Sequence, residues 1–126
     1  MKKAFTVELY VKVSRDLFKI SSVSDPSREQ VFTPSEAFTT QRLLVGQFSI
    51  AERCLKDAIS SMVGKSLIPK SVRVVVHPEE MVDGGLSEIE ARLFKELCLS
   101  AGARKVAVWV GNPLSTRDLA KLLENA

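Results

Sequence analysis

The side chains in this chain that could carry chemistry are few and scattered. His77 is the only histidine among 126 residues, and it follows the apolar run VRVVV (72–76). There it could act as a base or a ligand, although a lone histidine at a strand end is more simply a hydrogen-bonded or exposed one. It opens the stretch HPEEMVDGGL (77–86). The acids Glu79, Glu80 and Asp83 repel phosphate, and the two glycines lack the G-x-G-x-x-G or G-K-[ST] context of a phosphate cradle. A surface loop is the plain reading, and its length makes it the best candidate contact element. Cys54 and Cys98 have no metal-type spacing and read as free thiols in a reducing compartment. Cys98 has no basic sequence neighbour to activate it. Ser115 lacks the G-x-S-x-G elbow and reads as a helix cap.

The elements that must position these groups are legible. VRVVV and KVAVWV (105–110) are apolar, mostly β-branched runs without polar alternation, which predicts parallel strands buried on both faces, with Trp109 in the core. Between them SEIEARLFKELCLSAGAR (87–104) is a helix. Ser87 and Glu90 fit a capping box, and Gly102 fits a left-handed stop. Upstream, FTVELYVKV (5–13) alternates, placing Phe5, Val7, Leu9, Val11 and Val13 on a buried face and Thr6, Glu8, Tyr10 and Lys12 on the other. Ser14 to Asp16 read as a turn, residues 17–23 as an antiparallel return, Asp25-Pro26-Ser27 as a second turn and residues 29–32 as a third strand. Residues 34–46 read as a loop with a short helical or extended piece.

From Phe48 a helical period takes over, with Ala51, Cys54, Leu55, Ala58, Ile59 and Met62 on one face, Ser49 as N-cap and Gly64 as stop. Lys65 to Pro69 then lead to the first buried strand. A final helix, capped by Ser115 with Asp118, carries Leu119, Leu122 and Leu123. The order βββαβαβα predicts one α/β domain, a mixed five-stranded sheet with helices on both faces. Ligands of open α/β sheets bind beyond the carboxyl ends of the strands. That places His77 and the following acids beside Gly111 and Asn112, near Lys12. His77, Glu79, Glu80, Asp83 and Asn112 are therefore the candidate partner or ligand contacts.

The bulk composition narrows the function classes. Net charge is +3 with pI near 9.0, but eighteen Lys and Arg are interleaved with fifteen acids, and no basic patch predicts nucleic-acid binding. No apolar run approaches 18 residues, so no spanning helix is expected. The start MKKAFTVELY alternates apolar with polar residues, unlike a signal peptide, which points to a cytoplasmic chain.

The segment SEIEARLFKELCLSAGARKVAVWVGNP resembles the bacterial actin-like MreB family, in which T-x-V-E-R-R opens a helix, A-G-A-R-x-V opens a strand and E-P follows it. Ser87, Ile89 and Glu90 stand at T-x-V-E, Ala101 to Arg104 with Val106 at A-G-A-R-x-V, and Asn112-Pro113 at E-P. VGQFSIAERCLKDAI (45–59) is similar to the family's V-I-A-D-F-x-V-T-E-x-M-L, and VRVVVHP to its following strand. The resemblance covers most of residues 45–120. It implies a ribonuclease-H-like, actin-ATPase-type fold, present as a single half-body.

The family's nucleotide chemistry does not carry over. Its first hairpin holds D-x-G-T, whose glycine admits the phosphates. Glu8 stands at the aspartate, but Tyr10 stands at that glycine and would obstruct a phosphate. The second phosphate loop, D-x-G-G-G-T, has no counterpart in these residues. The resemblance therefore implies no catalytic residue, cofactor or metal ligand. The expected function is a non-catalytic interaction or scaffold module, with an actin-like or cell-shape protein as partner or a second copy in a homodimer. The alternative is a divergent nuclease of the ribonuclease-H-like type. It would take carboxylates from the first strand (Glu8) and the first helix (Glu52 or Asp57) to hold two Mg2+ ions about 4 Å apart.

Overall fold

The computed structural model describes residues 6–64 and 70–126. The expected positions of Phe5 and of the connection Lys65 to Pro69 lie outside the described residues. The chain forms β1 (Thr6–Ser14), β2 (Leu17–Ser22), β3 (Asp25–Phe32), α1 (Phe48–Val63), β4 (Ser71–Pro78), α2 (Glu88–Ser100), β5 (Lys105–Val108) and α3 (Thr116–Asn125). The strands lie in the order β3-β2-β1-β4-β5. β1 pairs antiparallel with β2, and β2 with β3, whereas β4 runs parallel to both β1 and β5. This is a mixed five-stranded α/β sheet with the expected order of elements.

Alternation along the strands divides the core. Leu9, Val11 and Val13 of β1 share one face with Phe18 and Ile20 of β2 and Val72, Val74 and Val76 of β4. Ala51, Leu55, Ala58 and Ile59 of α1 and Phe94, Leu97 and Cys98 of α2 close over that face. The opposite face is thinner. There Tyr10, Val23 and Val75 meet Leu119 and Leu123 of α3. Tyr10 is thus buried, although the alternation of β1 reads it as the outer face.

β4 is buried on both sides, as its unbroken apolar run predicts, but β5 is not its equivalent. β5 covers only Lys105–Val108 and forms the sheet edge, and Lys105, Ala107 and Val108 are half-buried. An apolar run reports side chains covered on both faces, and α2 and α3 supply that cover for β5 without a further strand. Trp109 falls beyond the strand and is half-buried, not core. β3 begins at Asp25, so the turn lies at Val23 and Ser24 and not at Asp25-Pro26-Ser27. Pro26 fits there because an edge strand tolerates a residue without an N–H donor.

The helix ends follow local chemistry in two of three cases. The Ser87 hydroxyl accepts from the Glu90 amide at 3.2 Å, and the Glu90 carboxylate accepts from the Ser87 amide at 3.1 Å. At the other end of α2, Ala103 N–H donates to Cys98 O and Gly102 N–H to Leu99 O, a Schellman pair that turns at Gly102 with φ +118°. Ser115 caps α3, its hydroxyl accepting from the Asp118 amide. α1 departs from expectation. Its N-cap is Gln47, not Ser49, and no side chain caps it. Instead the Gly46 and Gln47 amides both donate to Phe38 O, so the preceding loop sets where α1 begins.

That loop, residues 33–47, contains neither helix nor strand, yet it is firmly held. Phe38 is fully buried with its ring centroid 5.1 Å from that of Phe18, and Leu44 and Val45 are buried beside it. Asp16, in the two-residue β1–β2 turn with φ +56°, accepts from the Phe38 and Thr39 amides at 2.9 and 2.8 Å. Thr39 Oγ1 accepts from Asp16 N and donates to Leu44 O.

Two substitutions test these devices by thermal unfolding. Ser87→Ala is expected to cost about 1 kcal/mol, read as a Tm lower by about 4 °C. Asp16→Ala leaves two amides without their acceptor and is expected to cost about 1–3 kcal/mol.

Candidate functional site at the carboxyl ends of β1 and β4

The parallel register of β1 and β4 sets Tyr10 opposite Val75 and Lys12 opposite His77, all on the face beneath α3. The chain has one tyrosine, one histidine and one tryptophan, and the structure brings all three to this place. Tyr10 and His77 are 1% and 2% exposed. The Tyr10 hydroxyl lies 2.6 Å from His77 Nδ1, and the rings are nearly parallel with centroids 5.8 Å apart. His77 Nε2 lies 2.9 Å from Gly111 O. A carbonyl only accepts, so Nε2 carries the imidazole proton and Nδ1 accepts from the phenol. The phenol oxygen in turn accepts from Leu114 N–H at 3.2 Å. Donors and acceptors match throughout, and the network joins β1, β4 and the segment leading to α3.

That segment is shaped to reach the imidazole. Gly111 has φ +145°, and a Cβ there would lie 2.8 Å from Trp109 Cζ2. Only glycine fits both the backbone and the indole. The Trp109 Nε1–H donates to Asn112 O at 2.8 Å, closing the same turn.

Charged groups surround the pair. Lys12 Nζ sits 5.3 Å from the Tyr10 ring centroid and 2.6 Å from Glu29. Lys19, opposite Lys12 on β2, lies 2.8 Å from Glu79, whose carboxylate also accepts from Ser14 Oγ at 3.1 Å. The two adjacent ammonium groups are thereby each matched by a carboxylate. Ser21, opposite Tyr10, is 1% exposed, and its Oγ finds no partner among the described residues. Burial pushes the Tyr10 phenol above its ordinary value, with the Leu114 amide opposing and Glu79 and Glu29 adding to the rise. Burial pushes His77 below 6.5, outweighing the Gly111 carbonyl and Glu79, while Lys12 and Lys19 add to the drop. Glu79 is also half-buried, which works to raise it, but the Lys19 and Ser14 hydrogen bonds win and hold it below its ordinary range.

The predicted contact residues meet different fates. His77 does lie beside Gly111 and Lys12, but it is buried and both its nitrogens are engaged, so it offers no surface to a partner. Glu79 is committed to Lys19 and Ser14, and Glu80 accepts from the Arg15 amide at 2.6 Å. Asp83 and Asn112 are exposed. Glu8 is on the α3 face with Arg73 3.9 Å away, whereas Glu52 and Asp57 belong to α1 across the sheet. No group of three His, Cys, Asp or Glu side chains able to hold a metal occurs among the described residues. Cys98 is fully buried and its thiol is pushed up to about 12 by that burial, while burial and then Asp57 also raise Cys54.

Asp16 and the pairing of Lys12 with Glu29 have no local sequence signal, because each joins segments distant in the chain. Tyr10 does have one: it is the only aromatic on the outer face of β1. Tyr10→Phe strands His77 Nδ1 and the Leu114 amide together in the interior, with an expected loss of about 1–3 kcal/mol in denaturant unfolding. Gly111→Ala, which meets both the φ and the indole, is expected to lose about as much.

No protein-family model matches the chain. The uncharacterized protein YjaA of Escherichia coli (strain K12) is 31% identical to it over 102 residues, covering 77% of this chain and 78% of its own length. The chain belongs to the same family as YjaA.

Proposed function

We propose that this chain is a non-catalytic protein-interaction or scaffold module of the cytoplasm, built on a ribonuclease-H-like, actin-ATPase-type sheet related to the MreB-like family. The observation that carries this reading is the state of the ligand end of the sheet. Open α/β sheets bind ligands beyond the carboxyl ends of their strands, and here the Tyr10 phenol occupies that end, bonded to His77 and to the Leu114 amide. A phosphate would have to displace a buried aromatic ring. It would also meet Glu79 and Glu80, while Lys12 and Lys19 are already paired.

The element order βββαβαβα, which is the order that the ribonuclease-H-like reading expects, supports the fold assignment. A partner of actin-like or cell-shape type, or a second copy, would meet the exposed loop bearing Asp83 and the turn bearing Asn112. A metal-dependent nuclease centred on Glu8 has no comparable support, because Glu52 and Asp57 lie across the sheet from it.

A ligand that binds the native state raises its melting temperature. Saturating ATP with Mg2+ is therefore expected to leave the Tm of the full chain unchanged. An increase of several degrees would overturn the proposal.

A further inference from the structure

The network that closes the ligand end also controls how α3 is held. Leu119 and Leu123 are the fully buried residues of α3, against Tyr10, Val23 and Val75. The other face is covered by two helices and the 33–47 loop, with a much larger buried cluster. The α3 face is therefore the less buried of the two sheet faces, where local opening is easier than under α1 and α2. The Trp109 amide is held by Val76 O, and beyond that residue the polar tie between the face and the segment before α3 is the Tyr10–His77 network. His77 Nε2–H donates to Gly111 O, and Nδ1 accepts from Tyr10, which accepts from Leu114 N–H.

We propose that this network is an acid-sensitive latch: neutral His77 ties residues 111–115 and α3 to the sheet, and its protonation releases them, uncovering the apolar strip of Tyr10, Val23 and Val75. The proton balance is explicit. A proton added at Nδ1 makes that nitrogen a donor facing a phenol that until then donated to it. The phenol hydrogen loses its acceptor, and a cation is created in a buried site, which is costly without a matched partner. The groups facing it do not compensate equally. Lys12 from β1 and Lys19 from β2 repel it, Glu79 after β4 attracts it but is engaged by Lys19 and Ser14, and Glu29 from β3 is engaged by Lys12. The segment before α3 presents the Gly111 carbonyl, which His77 already uses.

The sign follows from the exposed form of His77 titrating at its ordinary value near 6.5 while the buried form titrates lower. The tie is complete above 6.5 and weakens as the pH falls toward the buried-form value. Within that window the opening equilibrium grows by at most about tenfold per pH unit, the limit for one proton. Glu79 is held below its ordinary 4.5, so it stays a carboxylate down to pH 5. This inference is independent of the actin-like reading, because it needs no partner or family assignment.

The experiment uses the full chain between pH 7.5 and 5.0. It follows Trp109 fluorescence, the single histidine's ring resonances, and amide hydrogen exchange corrected for its intrinsic pH dependence. The expected result is a red-shift of Trp109 emission that tracks the histidine titration. Exchange at Leu119 and Leu123 should accelerate as the pH falls below 6.5, by at most about tenfold per pH unit, while Val11 and Val74 keep their protection. His77→Gln, which cannot take up the proton, should remove both responses. If that variant does not fold, Tyr10→Phe takes its place. It removes the donor that favours the neutral imidazole and should move the opening to higher pH. The proposal is overturned by a Trp109 signal that stays flat, by α3 amides that exchange only together with Val11 and Val74, by a response that persists in His77→Gln, or by an opening not displaced upward in Tyr10→Phe.

Discussion

The pairing of β1 with β4 is the constraint on which the rest of this structure depends. It runs for eight residues in parallel, from Thr6 with Ser71 to Val13 with Pro78. It joins the antiparallel β1–β2–β3 half to the α/β half of the chain. Its register decides which side chains share a face: Val11 with Val76 toward α1 and α2, Lys12 with His77 toward α3. A slip by one residue would put Tyr10 and His77 on opposite faces of the sheet. The hairpin turn at Arg15 and Asp16 then extends the same order outward, because Asp16 fixes the loop that carries Phe38.

Much of this architecture was legible because it rests on local signals. The alternation of residues 7–13, the capping box of Ser87 and Glu90 and the turn at Gly102 are each caused by residues adjacent in the chain, and each appears as read. The misread elements depend on distant ones. β5 reads as a strand buried on both faces like β4, but it is a half-buried edge strand with helices on its faces, and periodicity cannot tell the two apart. Ser49 looked like a cap, but α1 starts where Phe38 O captures the Gly46 and Gln47 amides. Asp25-Pro26-Ser27 carried turn chemistry, yet an edge position lets proline remain within a strand.

The site was half visible for the same reason. The rule that α/β sheets present ligands at their carboxyl ends placed His77 near Gly111 and Lys12 from connectivity alone. Whether that end was open depended on the side chain of Tyr10, sixty-seven positions away from His77. A bulky aromatic among the polar residues of that face of β1 implies an obstruction. That its hydroxyl would find an imidazole and an amide, and so become a structural hub, requires the third dimension. His77 shows the converse: an isolated histidine invites a chemical role, but here burial and two saturated nitrogens make it part of the framework.

The two edges of the sheet differ in length but share a property. β5 offers four residues, and β3 carries Pro26 together with Arg28 and Glu29 along its eight. A missing N–H and charged side chains both discourage another strand from docking on an edge. Stacking sheet upon sheet into a longer ribbon is therefore disfavoured at either end. Any contact this molecule makes with a copy of itself or with another protein must be read from side-chain surfaces, which can discriminate between partners, and not from backbone, which cannot.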